Sequence, residues 1–190
     1  MRNKAMQDEE AIVESWLRAL SLRNEGIAGH IQRVTVMTLR LARDLVIGDE
    51  QLVHIRRGAI LHDIGKIAIP DAILLKPDIL TAQEWQVMRQ HPAIGYELLS
   101  PIEFLRPALD IVYCHHERWD GTGYPRGLKG EEIPFAARLF SVVNVWDSLI
   151  ADQYYRRGLQ KDAVISYIKE QAGKQFDPQV VKVFLAIIGD

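Results

Sequence analysis

The chain has 190 residues, 48% of them apolar and 25% charged, which fits one globular domain with a sizeable core and excludes a disordered or fibrous chain. Its 23 basic and 25 acidic residues leave a net charge of −2, so no broad positive field favours a nucleic-acid polymer or an acidic membrane. One cysteine, Cys114, excludes an internal disulfide framework and suits a reducing cytoplasm, and no apolar run reaches spanning length.

Residues 8–22 read as an amphipathic helix: Ile12, Trp16, Leu17 and Leu20 recur at helical spacing and acids crowd the first turn. Asn24-Glu25-Gly26 breaks it. A second helix over about 27–46 carries Ile31, Val34, Leu41 and Leu45 on one face, with His30 near its start. His30 alone reads as an ordinary helix-end residue. A third helix, about 50–63, delivers Leu61-His62-Asp63-Ile64-Gly65-Lys66. A buried aspartate is costly unless it is paired or metal-bound. The plain alternative is a histidine with a capping Asp before a glycine stop. Lys66 adds a point charge suited to a phosphate oxygen.

Residues 70–80, with two prolines, are too irregular for a long helix. Thr81-Ala82-Gln83-Glu84 is a capping box opening a helix that runs to His91-Pro92, where Pro92 kinks or restarts it. Residues 102–116 read as a helix ending in His115-His116. The connector 117–133 is long and glycine-rich, which favours function over mere linkage. From Pro134 to about 151 the chain is apolar nearly all round, the pattern of a central buried helix. Asn144 and Asp147 lie on it and need partners. Helices over about 160–172 and 178–188 close the chain. No segment alternates as a strand does. The expected fold is an all-α, single-domain bundle of about seven or eight helices spanning 1–190, with 1–25 as an N-terminal helix.

The chemistry-bearing residues fall at helix ends. Neutral imidazole and carboxylate are ligands of first-row transition metals. His30, His62, Asp63, His91, His115 and His116, with the polar pair on the buried helix, come from five helices or helix ends. Helical proteins build metal sites by such convergence, and two metals held together can activate a water and clamp a phosphoester. The bland reading of the His115-His116 stretch, a polar loop with a chance histidine pair, stands beside it. His54 sits mid-helix with no partner signal.

Together, Leu61-His62-Asp63-Ile64-Gly65-Lys66 and His115-His116-Glu117-Arg118-Trp119-Asp120-Gly121-Thr122-Gly123-Tyr124-Pro125 resemble the HD-GYP family, a branch of the HD metal-dependent phosphohydrolases. The resemblance covers about Val13 to Leu185. It implies an HD-like helical domain that holds two or three irons or manganeses and hydrolyses cyclic di-GMP to linear pGpG or GMP. It further implies His62 and Asp63 as signature ligands, with Asp63 bridging, and His91, His115 and His116 around the second metal. His30 corresponds to the upstream histidine ligand. Lys66 corresponds to the lysine at the scissile phosphate, Gly123, Tyr124 and Pro125 to the pocket lip, and Arg156 to a basic residue near the nucleotide.

Three positions depart from the family pattern. Gly26 replaces the glutamate of three-metal members, and Glu25 is one residue off, so two divalent metals are expected, iron or manganese. Asn144 replaces an aspartate ligand, offering a neutral oxygen that binds a cation more weakly. Asp147, a turn along, matches a different aspartate. Gln153 replaces an arginine that faces substrate. The expected function is cyclic di-GMP hydrolysis. The alternatives are a degenerate module that binds metal or nucleotide with little turnover, and a phosphohydrolase for another nucleotide. Family members usually follow a sensor or receiver domain, so the first helix is expected to link to one, and a homodimer through that helix is the expected assembly.

Overall fold

The computed structural model describes residues 2–23, 27–151 and 157–189, and among these there is no β-strand. The all-α expectation holds. No helix among the described residues is long and apolar enough to cross a membrane. Gly26, Glu25, Gln153 and Arg156 lie outside the described residues.

Helix α1 spans Arg2–Arg23 and so begins six residues before the sequence pattern suggested. Val13 and Leu20 are buried and Trp16 and Leu17 pack beside them, whereas Ile12 is 43% exposed, against its assignment to the apolar face. The acids expected to favour a first turn do something else. Glu9 accepts from Arg57 Nη2 at 2.7 Å, and Glu10 accepts from Arg57 Nε at 2.8 Å and from Arg56. Arg57 is 3% exposed, donates to the Phe104 carbonyl at 3.2 Å and lies 5.0 Å from the centre of the Phe104 ring. A guanidinium can be buried only when its donors find acceptors, and here two carboxylates and a carbonyl supply them.

Helix α2 (Ile27–Asp44) packs against both α3 (Asp49–Leu61) and α8 (Phe135–Ile150). Val34, Leu41, Leu139, Phe140, Val143 and Phe184 form the interior of the larger apolar cluster. A second cluster joins α1 to the end of α3 through Val13, Ile31, Leu61, Ile64 and Leu99. His62 and Asp63 follow Leu61 directly, so they emerge where the two clusters meet.

A 3-10 turn (Ile64–Ala68) leads to a short helix α4 (Asp71–Leu74) inside the stretch expected to be irregular. Helix α5 (Ala82–Met88) opens on the capping box: Thr81 Oγ1 accepts from Glu84 N at 3.3 Å and Glu84 Oε2 accepts from Thr81 N at 2.7 Å. Helix α6 (His91–Leu99) has Pro92 in its first turn, where the missing N–H costs nothing, so the proline restarts the helix. The helix expected over 102–116 is split into a 3-10 segment (Glu103–Ala108) and α7 (Leu109–Cys114). Pro107 lies in the 3-10 segment, where its ring and missing donor are incompatible with a regular α-helix. Helices α9 (Lys161–Glu170) and α10 (Pro178–Gly189) complete the chain. These splits give more helical pieces than the seven or eight expected.

Candidate metal centre

Three helix ends aim imidazoles at one carboxylate. Asp63 Oδ2 lies 3.2 Å from His62 Nε2, and Asp63 Oδ1 lies 3.3 Å from His91 Nε2 and 3.9 Å from His115 Nε2. His91 Nε2 and His115 Nε2 are 3.2 Å apart. One ring nitrogen from each of His91, His115 and His116 falls within 4.8 Å of the others. His62, Asp63, His91 and His115 are all buried to 5% exposure or less.

The backbone decides where the imidazole protons sit. His62 Nδ1 faces the Ala59 carbonyl at 2.9 Å, and His91 Nδ1 faces that of Met88 at 2.8 Å. His115 Nδ1 faces the Ile111 and Val112 carbonyls at 3.0 and 3.1 Å. A carbonyl only accepts, so each Nδ1 carries the hydrogen and donates it. Burial holds the His62 ring below its usual pKa, and burial with neighbouring imidazoles holds His115 and His116 well below it. These rings are therefore neutral, with Nε2 of His62 and His115 a bare lone pair. Lone pairs and carboxylate oxygens at 3.2–3.9 Å repel one another unless a cation sits among them. The donor set thus fits divalent metal.

Lys66 Nζ donates to Asp63 Oδ2 at 2.6 Å. Burial raises the Asp63 carboxyl, and the Lys66 ammonium acts against this, helping to hold it below the ordinary carboxylate range.

His30 stands at the edge of this group, its ring 5.6 Å from that of His62. Its Nδ1 donates to Asp147 Oδ2 at 2.7 Å, which turns Nε2 away from the carboxylate. Arg33 holds the same carboxylate with two bonds, Nε to Oδ1 at 2.6 Å and Nη2 to Oδ2 at 2.9 Å. Burial raises the Asp147 carboxyl, but the bonds from His30 and Arg33 bring it below its usual value. A carboxylate behind an imidazole is the common outer support of a metal-ligating histidine. Asp147→Asn leaves Arg33 without its bidentate partner. It is expected to lower the unfolding free energy of the metal-free protein by about 1–3 kcal/mol, read by urea titration. An unchanged midpoint would mean that the half-exposed Arg33 adds nothing.

Asn144 sits on α8 one turn after Phe140, whose ring centre is 4.7 Å from that of His62. Residues four apart share a helix face, so Asn144 is on the site side. Its Oδ1 is buried and accepts no hydrogen bond among the described residues. A buried amide oxygen without a donor needs a partner, and a cation is one that fits it.

The 117–133 connector is tethered. Glu117, 3% exposed, accepts from the backbone N–H of Arg126 at 2.7 Å and of Leu128 at 3.0 Å. Trp119 N and Asp120 N donate to the carbonyls of Gln175 and Lys174 at 3.1 and 2.8 Å. A Cβ on Gly123 would strike the backbone of Arg118 and Glu117, so only glycine lets the strap cross there. The result lays Tyr124 flat on His116, with ring centres 4.7 Å apart and planes at 17°. Pro125 follows through a cis peptide bond and is exposed.

Reasoning from sequence placed the ligand candidates but missed Glu117 and Arg33. Glu117 stood inside the quoted motif, and Arg33 lies three residues after His30 on the same helix face. His54, read as lacking partners, has a buried Nδ1 with no hydrogen bond among the described residues.

A family model described as "HD domain" matches residues 14–180. The chain is 40% identical over 185 residues to the cyclic di-GMP phosphodiesterase response regulator RpfG of Xanthomonas campestris, covering 96% of this chain and 49% of that protein. It is 40% identical over 162 residues to a cyclic di-GMP phosphodiesterase of Thermotoga maritima, covering 83% and 44%. The chain thus spans about half the length of these relatives. Among solved structures, the HDGYP protein Bd1817 of Bdellovibrio bacteriovorus superposes with a TM-score of 0.71 at 24% identity, over 88% of this chain and 54% of that one. The cyclic GMP-AMP phosphodiesterase V-cGAP3 of Vibrio cholerae does so at 0.70 and 16% identity, over 94% and 48%. At these identities the structural matches speak to the fold.

Proposed function

Because the chain belongs to the HD domain family, in its HD-GYP branch, we propose that it is a metal-dependent phosphodiesterase that hydrolyses cyclic di-GMP to linear pGpG or GMP. The observation that carries the reading is the convergence of imidazole lone pairs on Asp63 with every Nδ1 proton turned outward. The names of the relatives supply the substrate class, and they favour turnover over the degenerate module.

His62, Asp63, His91, His115, His116 and His30 would hold two divalent metals, iron or manganese, with Asn144 as a neutral oxygen ligand. Bound there, such metals lower the pKa of water to make a nucleophile and stabilise negative charge on a phosphoryl group. Asp63 holds the ligand histidines around one carboxylate. Lys66 is positioned to donate to a phosphate oxygen once its bond to Asp63 is exchanged, stabilising charge that develops in the transition state. Gly123, Tyr124, Pro125 and Arg156 make up the proposed substrate-binding set, and the stacking of Tyr124 on His116 supports this for Tyr124. A link from α1 to an upstream sensor domain and a dimer through α1 are part of this proposal. They are supported by the exposed Met6, Ile12 and Leu22 on that helix. A cytoplasmic location is supported by the single buried free thiol.

The test is turnover of cyclic di-GMP by protein loaded anaerobically with Fe(II) or Mn(II), products separated by chromatography, beside Asn144→Asp. Parent turnover is expected. The Asp variant should bind metal about tenfold or more tightly, since added ligand charge strengthens cation binding. Turnover by the variant alone would make the natural chain a binding module. Turnover by neither would remove the enzyme assignment.

A further inference from the structure

Arg89 ends α5, two residues before His91, and its side chain is exposed. Its guanidinium carbon lies 5.2 Å from the centre of the Tyr124 ring. Tyr124 in turn stacks on His116. One tyrosine face is thus against a ligand histidine, which leaves the other for the guanidinium. The arrangement is a three-layer stack, His116–Tyr124–Arg89, rising from the candidate metal centre to the rim.

The backbone under Arg89 is held from both sides. Arg89 N donates to Trp85 O at 2.9 Å and Gln90 N to Val87 O at 3.1 Å, while the His91 ring ties back to Met88 O. No carboxylate among the described residues pairs with Arg89, in contrast to its neighbours on this rim. Lys66 is on Asp63, and Arg118 is on Asp120 and Thr122. Trp85, one turn earlier, is 45% exposed and adds apolar surface beside it. A guanidinium held over a tyrosine ring by cation–π attraction has its range of positions narrowed before any ligand arrives, while its N–H groups stay available to donate.

We propose that Arg89, shelved on Tyr124, is a specificity-determining residue that reads a guanine of the cyclic dinucleotide. Guanine shows two acceptors on one edge, O6 and N7, which match the two donors of an arginine fork. Adenine shows N7 and an amino group, which match only one. This rests on the reading under Proposed function that the site takes a cyclic dinucleotide. Phosphate is the other acceptor an arginine fork fits, so the test must separate base from phosphate.

The experiment measures dissociation constants by calorimetry on the metal-loaded full chain, with hydrolysis-resistant phosphorothioate analogues of cyclic di-GMP and cyclic di-AMP. The parent, Arg89→Ala and Arg89→Lys are compared, and helical circular dichroism checks the fold. Arg89→Ala should weaken the guanine analogue roughly 10- to 100-fold and the adenine analogue less than about threefold. Arg89→Lys, which keeps the charge and loses the fork, should stay at least about fivefold weaker than the parent on the guanine analogue. Equal loss for both analogues, or full recovery with lysine, overturns base reading in favour of a phosphate contact. The lysine arm decides this even where the adenine analogue binds too weakly to measure. An unchanged Arg89→Ala against a binding parent overturns the inference alone. A parent that neither binds nor hydrolyses the guanine dinucleotide overturns the function it rests on, and the inference with it.

Discussion

Asp63→Asn is expected to lower kcat/KM for cyclic di-GMP by roughly 10³-fold or more and to strip metal from the purified protein. Its two oxygens divide the site between them: Oδ2 faces His62 and Lys66, and Oδ1 faces His91 and His115. Asparagine removes the charge that draws cations to this point. It also replaces one oxygen by an NH2 that would donate into an imidazole lone pair and occupy a ligand. Metal content by plasma emission and steady-state kinetics give two independent readings. Activity within tenfold of the parent, with metal retained, would mean that the histidines alone hold the centre and that Asp63 does not bridge it.

Gly65→Ala acts on the same centre through the backbone. A Cβ at Gly65 would run into the His91 carbonyl oxygen and sit 2.7 Å from Gly95 N and 2.8 Å from the His91 carbonyl carbon. These are main-chain atoms in the first turn of α6, so relief requires moving α6 as a body or rebuilding the 3-10 turn. Overpacking usually costs 1–3 kcal/mol, and a backbone collision belongs at the top of that range, about 3 kcal/mol. His91 and Asp63 would also part, so metal affinity should fall together with the unfolding midpoint. A variant that loses stability yet keeps full metal content would show that the contact between the 3-10 turn and α6 serves folding only.

Local pattern told much about the helices and the placement of candidates, and little about how they are held. Adjacent His62-Asp63 and His115-His116 were visible because they interrupt apolar periodicity at helix ends. The capping box at Thr81 was visible because it is a signal contained within four consecutive residues. The supports are long-range. His30 meets Asp147 across 117 positions and Arg57 meets Glu9 across 48, and no window of a single sequence contains both members. The acids of α1 illustrate the cost of this. Read locally they favour a helix start, whereas in the fold they neutralise a buried arginine. The split of 102–116 was missed although Pro107 signals it, since a proline inside a helical stretch breaks the regular ladder. The outward turn of each Nδ1 depends on carbonyls three or four residues earlier and needs coordinates to be seen.

The hold that buried Glu117 keeps on the strap carries a consequence for how ligands arrive. The strap's backbone is anchored at Arg126 and Leu128 by a carboxylate and at Trp119 and Asp120 by the turn before α10. Such a segment is a doorframe and not a door. Its ordering was completed when the chain folded, so capture of a ligand need not wait for a flap to swing or spend affinity on stilling one. Recognition at this mouth is then a matter of fit to a fixed outline, and selectivity resides in the shape and polarity of the frame.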